Sequence, residues 1–286
     1  MQVIKTIAKL QELLELAKSE DQTVGFVPTM GALHQGHLSL VEQAADSSDI
    51  VVVSIFVNPT QFNNSNDLER YPRDLETDLN ALSEVKCDVV FAPNVKEVYP
   101  KEDKRQFNFG DLESVMEGKY RPGHFNGVAQ VVSRLFDIVK PDKAFFGLKD
   151  FQQLAVIRDM TKQLQLAVEI VPCAILREAD GLAMSSRNML LSDAQRKNAP
   201  LIASTLFESC NFVPDTSVEG VKNKVIEAIN ANEKLEVEYF EIVDGYTLQP
   251  VDNWEESEYI VACIAVFAGE IRLIDNVIYK NRDHEC

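Results

Sequence analysis

The chain has 286 residues, 45% of them hydrophobic and 8% aromatic, enough apolar side chain for one large or two moderate folded domains and against global disorder. Its 45 acidic residues against 28 basic ones give a formal net charge of −17, so no nucleic-acid partner is expected, whereas a small anion in a locally basic pocket is. No run approaches the ~18 apolar residues of a membrane helix, and Cys87, Cys173, Cys210, Cys263 and Cys286 are scattered without a CxxC pair, which predicts a soluble protein of the reducing cytoplasm with no membrane partner.

In chain order, residues 1–20 set Leu and Ile at helical spacing between charges, predicting an amphipathic helix over 6–18 and no secretory leader. Five short, β-branched, almost continuously apolar runs follow: TVGFVPTM at 23–30, DIVVVSIFVN at 49–58, CDVVFAPN at 87–94, KAFFG at 143–147 and VEIVPCAI at 168–175. Strands covered on both faces of a parallel sheet have this composition. Helical patterns separate them at 37–46, 74–85, 128–139 and 152–164. The alternation predicts a Rossmann-like, doubly wound α/β domain over 1–175, with ligands beyond the carboxyl ends of its strands. Helices at 193–209 and 218–231, then the strand-like runs YFEIVDG and YIVACIAVFAGEIRLIDNV, predict a smaller α+β domain over 176–286.

The stretch PTMGALHQGH at 28–37 leads from the first strand into a helix. Gly31 and Gly36 allow a tight turn, and the free N–H groups and positive dipole end of that helix favour an anion, phosphate above all. The frame Gly31-x-x-x-x-Gly36 opens like a P-loop, but His37 and Leu38 stand where that motif needs Lys and Ser or Thr, and no GxGxxG occurs. His34 and His37 share one side of a helical turn and could hold a metal. Zinc takes three or four protein ligands, however, and only His124 and His284 remain. Read alone, the pair could equally be two ordinary loop histidines.

Other strand ends supply company. FVNPTQF at 56–62 offers Asn58 and Gln61, neutral donors and acceptors suited to a carboxylate or hydroxyl. FGLKDFQQL at 146–154 offers Lys149, Asp150 and Gln153, with the Lys149 ammonium suited to phosphate. READGLAMSSRNMLLS at 177–192 packs Ser185, Ser186, Arg187 and Asn188 into one polar loop that could wrap a triphosphate and neutralise charge on a leaving pyrophosphate. Singly, these read as a turn with two amides, a helix cap with a solvated lysine, and a common tripeptide.

Together PTMGALHQGH, IFVNPTQF, YPRDLETDL, RPGHFNGV, FGLKDFQQL, ADGLAMSSRN and IRLIDN, in that order over nearly the whole chain, resemble the pantothenate synthetase family of the nucleotidylyltransferase superfamily. HxGH alone marks the superfamily; its company marks the family. The resemblance implies ATP-dependent condensation of (R)-pantoate with β-alanine through a pantoyl-adenylate, giving pantothenate, AMP and pyrophosphate. It implies an ATP-binding loop of Met30, Gly31, Ala32, Leu33, His34, Gln35, Gly36 and His37, with His34 and His37 donating to phosphates and His37 the proton donor. Gly147, Leu148, Lys149 and Asp150 match a second ATP segment, and Leu176 with Met184, Ser185, Ser186 and Arg187 a third. Lys149, Ser185, Ser186 and Arg187 join the two histidines as catalytic candidates. Gln61 and Gln153 match pantoate-binding glutamines, Gln61 also bordering β-alanine, with Asn58 beside them. Leu148 stands where the resemblance leads one to expect glutamate, which leaves a backbone contact there.

Mg²⁺ is expected with the triphosphate, held mostly by phosphate oxygens and water rather than by protein ligands. Asp78 reads as an outer contact or, more simply, as a solvated helix carboxylate, and the RPGHFN stretch as a polar loop near the site or a rigid turn. A homodimer follows from the resemblance. Two other readings stay open: a nucleotidylyltransferase that stops at its adenylylated product, and a non-catalytic nucleotide-binding protein.

Overall fold

The β-branched runs do form strands. A computed structural model describes residues 1–61, 68, 69, 71 and 73–281, with the backbone alone at 284 and 285. Phe62, Pro72 of YPRDLETDL, the His284 side chain and Cys286 lie outside the described residues.

Six strands make one parallel sheet: β1 (Gln2–Ile4), β2 (Val24–Thr29), β3 (Ile50–Ile55), β4 (Val89–Phe91), β5 (Lys143–Gly147) and β6 (Glu169–Cys173), in the order β1-β4-β3-β2-β5-β6. Val51, Val52 and Val53 of β3 are wholly buried, as a strand covered on both faces requires. Pro172 is accommodated because β6 is an edge strand. From β2 the chain steps to β3 on one side and later returns to β5 on the other. The carboxyl end of β2 is therefore the switch point at which such sheets bind ligands. Helices α1 (Ile7–Ser19), α2 (Gln35–Ser47), α3 (Leu75–Leu82), α4 (His124–Val139) and α5 (Phe151–Gln163) join the strands. α2 turns Leu38, Val41 and Ala44 onto Val27, Val51 and Val53 of the sheet.

The chain divides into two compact units: 1–109, 121–148 and 153–174 in the first, and 110–120, 149–152 and 175–286 in the second. The second thus takes in two segments that precede residue 175. Its sheet is antiparallel, β7 (Glu236–Asp244), β8 (Ile260–Ala268), β9 (Ile271–Asn281) and β10 (His284–Glu285) in the order β10-β9-β8-β7. One face packs Ile264, Val266, Leu273 and Val277 with Leu206 of α6 (Pro200–Cys210) and Val221 and Val225 of α7 (Val218–Asn230). On the other face Arg272 bridges Glu238 and Glu117, both at 2.6 Å, and the Tyr239 hydroxyl donates to Glu117 at 2.9 Å. That network ties segment 110–120 to the sheet, and removing one partner would strand a buried charge. Gln152 secures the same segment, donating to the carbonyls of Leu112 (2.7 Å) and Val115 (2.9 Å) and accepting from Glu117 N–H (2.9 Å).

Three expectations change in detail. β1 was not foreseen. The helix over 193–209 is two helices, because Pro200 fits the first turn of α6 but has no N–H to continue Asp193–Asn198 into it. The run at 259–277 is a hairpin turned at Gly269, whose φ of +62° suits glycine.

Candidate active site

The loop between β2 and α2 is built on left-handed backbone, with φ of +81° at Gly31 and +51° at Ala32. A Cβ on Gly31 would stand 2.8 Å from Asp78 Oδ2 and 3.2 Å from Ile55 Cγ2, so space as well as conformation demands glycine. The Thr29 hydroxyl accepts from Gly31 N–H (3.2 Å) and donates to the Ser54 carbonyl (2.7 Å).

Asp78 on α3 is only 2% exposed, which corrects its reading as a solvated carboxylate. Its two oxygens accept N–H from Leu33 (2.7 Å) and Ala32 (3.1 Å). Burial pushes its carboxyl above the ordinary value, against the opposing pull of those two donors. The signal was in the helix: Asp78 is three after Leu75 and four before the buried Leu82, on the inward face.

The histidines close the loop. His34 is the N-cap of α2, and its Nδ1 accepts from Gly36 N–H at 3.1 Å. His37 Nδ1 in turn accepts from His34 N–H at 3.4 Å. A neutral imidazole accepting at Nδ1 carries its proton on Nε2, so these backbone donors assign both rings as Nε2–H donors. Several of the backbone N–H groups expected to form an anion cradle are engaged within the protein. Those of Gly31, Ala32, Leu33, His34 and Gly36 already have protein acceptors, and the two imidazoles stand at the positive end of α2. Gln35 is exposed and Met30 half-buried in the same loop.

Asn58 is fully buried and its amide is occupied by the protein. Nδ2 donates to Gln61 Oε1 (3.3 Å) and the Gly127 carbonyl (3.2 Å), while Oδ1 accepts from Thr60 Oγ1 (3.1 Å) and the Tyr99 hydroxyl (3.3 Å). It shapes the turn that carries Gln61. Gln61 Nε2 meets Met30 Sδ at 2.8 Å, linking this turn to the glycine loop. The RPGHFN stretch, open in the sequence, lies against the same turn. His124 is buried with Nδ1 3.0 Å from the Gln61 carbonyl, and a Cβ on Gly127 would stand 2.5 Å from the Thr60 carbonyl oxygen. Gln153 is half-buried on α5 in the same unit, and Gly147 and Leu148 belong there too.

The second unit holds the other candidates. Lys149 is half-buried and Asp150 exposed in a 3-10 turn, Leu148–Asp150. Residues 176–184 form a small hairpin: Met184 N–H donates to the Leu176 carbonyl (3.0 Å), Glu178 N–H to that of Leu182 (2.8 Å), and Gly181 turns with φ of +88°. Leu176 and Met184, eight apart in sequence, are thus backbone neighbours. Ser185 caps the following 3-10 turn, its hydroxyl accepting from Arg187 N–H at 3.3 Å; Ser186 and Arg187 are half-buried. A cavity of about 580 Å³ touches Met30, Gly31 and Asp78 in the first unit, but neither histidine nor Gln61 lines it.

The model of the Pantoate-beta-alanine ligase family matches residues 2–278. The chain is 55% identical to pantothenate synthetase of Phocaeicola vulgatus over 281 residues, covering 98% of this chain and 100% of that one. It is 54% identical to that of Porphyromonas gingivalis over 281 residues, with the same coverage. Among solved structures, a pantothenate synthetase from Thermus thermophilus superposes with a TM-score of 0.91 at 43% identity, covering 98% of this chain and 100% of that one. A pantoate-beta-alanine ligase from Francisella tularensis, complexed with β,γ-ATP and β-alanine, gives 0.79 at 34% identity and 97% of each chain.

Proposed function

The chain belongs to the pantoate-beta-alanine ligase family, and we propose that it condenses (R)-pantoate with β-alanine at the expense of ATP, giving pantothenate, AMP and pyrophosphate. A carboxylate is a poor electrophile towards an amine. In the first step a pantoate carboxylate oxygen attacks the α-phosphorus of ATP, the bond to the β-phosphate oxygen breaks, and pyrophosphate leaves. In the second the β-alanine amine attacks the acyl carbon of the mixed anhydride, AMP leaves with the anhydride electrons, and the amine gives up a proton.

The observation that carries this assignment to residues is that His34 and His37 at the start of α2 each hold Nδ1 against a backbone N–H, which makes Nε2 the nitrogen that carries the proton. In this reading both donate to ATP phosphates, with His37 the proton donor as charge shifts onto the leaving group. Met30, Gly31, Ala32, Leu33, Gln35 and Gly36 shape the loop under the nucleotide. Gly147, Leu148 and Asp150 contact ATP beside the Lys149 ammonium, which takes a phosphate. Leu176, Met184, Ser185, Ser186 and Arg187 wrap the triphosphate. Gln61 and Gln153 orient pantoate, with Asn58 holding the Gln61 turn. In this reading residues 1–175 are the ATP- and pantoate-binding domain and 176–286 a smaller C-terminal lid domain. Among the described residues no group of three or more His, Cys, Asp or Glu side chains is gathered to hold a metal. Mg²⁺ carried in on the triphosphate would supply charge neutralisation. A homodimer and a cytoplasmic location complete the proposal; among the described residues no helix is long and apolar enough to cross a membrane.

Product analysis tests the reading. Pantothenate and AMP formed together, only with all three substrates present, is the expected result. An adenylylated product that accumulates without AMP would make the protein a simple nucleotidylyltransferase, and ATP binding without turnover would make it a nucleotide-binding protein.

A further inference from the structure

β9 carries two buried polar residues side by side, Asp275 at 4% and Asn276 at 5% exposure, in a strand whose other buried side chains are Leu273, Val277 and Tyr279. Burying a carboxylate and an amide is costly unless both are fully engaged. Strand alternation sends them to opposite faces of the sheet.

Asp275 forms a two-pronged pair with Arg177, at 2.6 and 2.9 Å. That guanidinium also donates to the carbonyls of Gly181 (3.1 Å) and Asn276 (3.4 Å), and it lies 4.7 Å from the Phe207 ring centroid. Arg177 is thus committed to structure. It stands at the base of the hairpin that brings Leu176 against Met184, paired across it with Ala183. Asn276, on the other face, donates its Nδ2 hydrogen to the carbonyl of Lys149 at 3.0 Å. One dipeptide therefore contacts both segments of this unit to which ATP contacts are assigned, the Lys149 backbone directly and the hairpin through the Arg177 side chain. One segment is a three-residue 3-10 turn between β5 and α5, the other a hairpin of nine residues.

We propose that Asp275 and Asn276 are positioning residues for the nucleotide, Asn276 setting the height of Lys149 and Asp275, through Arg177, setting the hairpin that leads into Ser185, Ser186 and Arg187. The inference rests on the ATP contacts assigned above. Misplacement of a reacting or charge-bearing group by about 1 Å costs up to about 10²-fold. The grip on the Lys149 carbonyl fixes the backbone from which its flexible side chain reaches.

The test is steady-state kinetics on the full chain, with melting temperature as the check on folding. Asn276→Ala is expected to raise KM for ATP by about tenfold while leaving KM for pantoate unchanged. Asn276→Ser, which keeps a hydroxyl donor, should recover part of the loss, and it serves as the main variant if the alanine protein does not fold. In a Lys149→Ala background Asn276→Ala should add little, because the side chain being positioned is already gone. Fully additive effects, or a loss of kcat with both KM values unmoved, would overturn the proposal and reduce Asn276 to a packing residue. A wild-type protein that shows no pantoate-dependent turnover would instead overturn the functional reading on which the proposal stands.

Discussion

The imidazole rings of His34 and His37 lie tilted against each other with centroids 4.1 Å apart, and each turns its Nδ1 to a backbone N–H. The backbone thereby chooses the tautomer of both rings, a choice that the three-residue spacing alone could not reveal.

Replacement of His37 separates its two nitrogens. Asn mimics Nδ1 and Gln mimics Nε2. His37→Asn should keep the cap and the melting temperature but lose about 10²–10³ in the rate of adenylation, as removal of one transition-state donor does elsewhere. His37→Gln should retain more activity. Rapid-quench measurement of adenylate formation checks the order, and a more active Asn variant would place the working nitrogen at Nδ1.

Asp78 predicts a pH effect. Its carboxyl, ordinarily at 3.8, is raised by burial in the folded protein. Between that value and the raised one, the folded state holds a proton that the unfolded state has released, so stability falls as pH rises through this window and levels off above it. Asp78→Asn has no such titration. Denaturant unfolding of both proteins across acidic pH should show the free-energy gap moving in favour of wild type as pH is lowered through the window. A gap moving the other way would mean that the Ala32 and Leu33 donors outweigh burial.

Gly31→Ala should cost about 1–3 kcal/mol from its left-handed backbone alone. The new methyl also presses on Asp78 Oδ2, so nucleotide affinity should fall with stability. Calorimetry with and without ATP reads both. An alanine variant as stable as wild type would contradict the conformation assigned to the loop.

The Gln61 turn is held from behind by two residues that touch no substrate in this account. Gly127→Ala would push backbone atoms of Thr60 and Gln61, and His124→Ala removes the donor to the Gln61 carbonyl. Both should raise KM for pantoate by about tenfold with little change in KM for ATP, as loss of positioning at one substrate predicts. His124→Asn should recover part of the loss. Equal changes in both KM values would assign these residues to global packing.

Much of this architecture could be read from the chain because its signals are local. Val51–Val53 are apolar without alternation, Gly31 and Gly36 frame a turn, and His34 sits where a cap belongs. What escaped reading depends on distant partners. Asp78 meets Ala32 and Leu33 from more than 40 residues away, and Asp275 meets Arg177 across 98, so spacing within either motif could not announce the pair. β1 escaped for another reason: three residues carry too little periodicity, and its pairing with β4 is what makes it a strand. The segments 110–120 and 149–152 belong with the second unit for the same long-range cause, since Gln152, Glu117 and Arg272 bind them there.

The central claim is adenylation of pantoate, and isotope exchange between labelled pyrophosphate and ATP addresses it most directly. With β-alanine absent, exchange should require (R)-pantoate, and adding β-alanine should then release AMP. Exchange that proceeds without pantoate, or its absence in a protein that binds ATP and pantoate, would contradict the account.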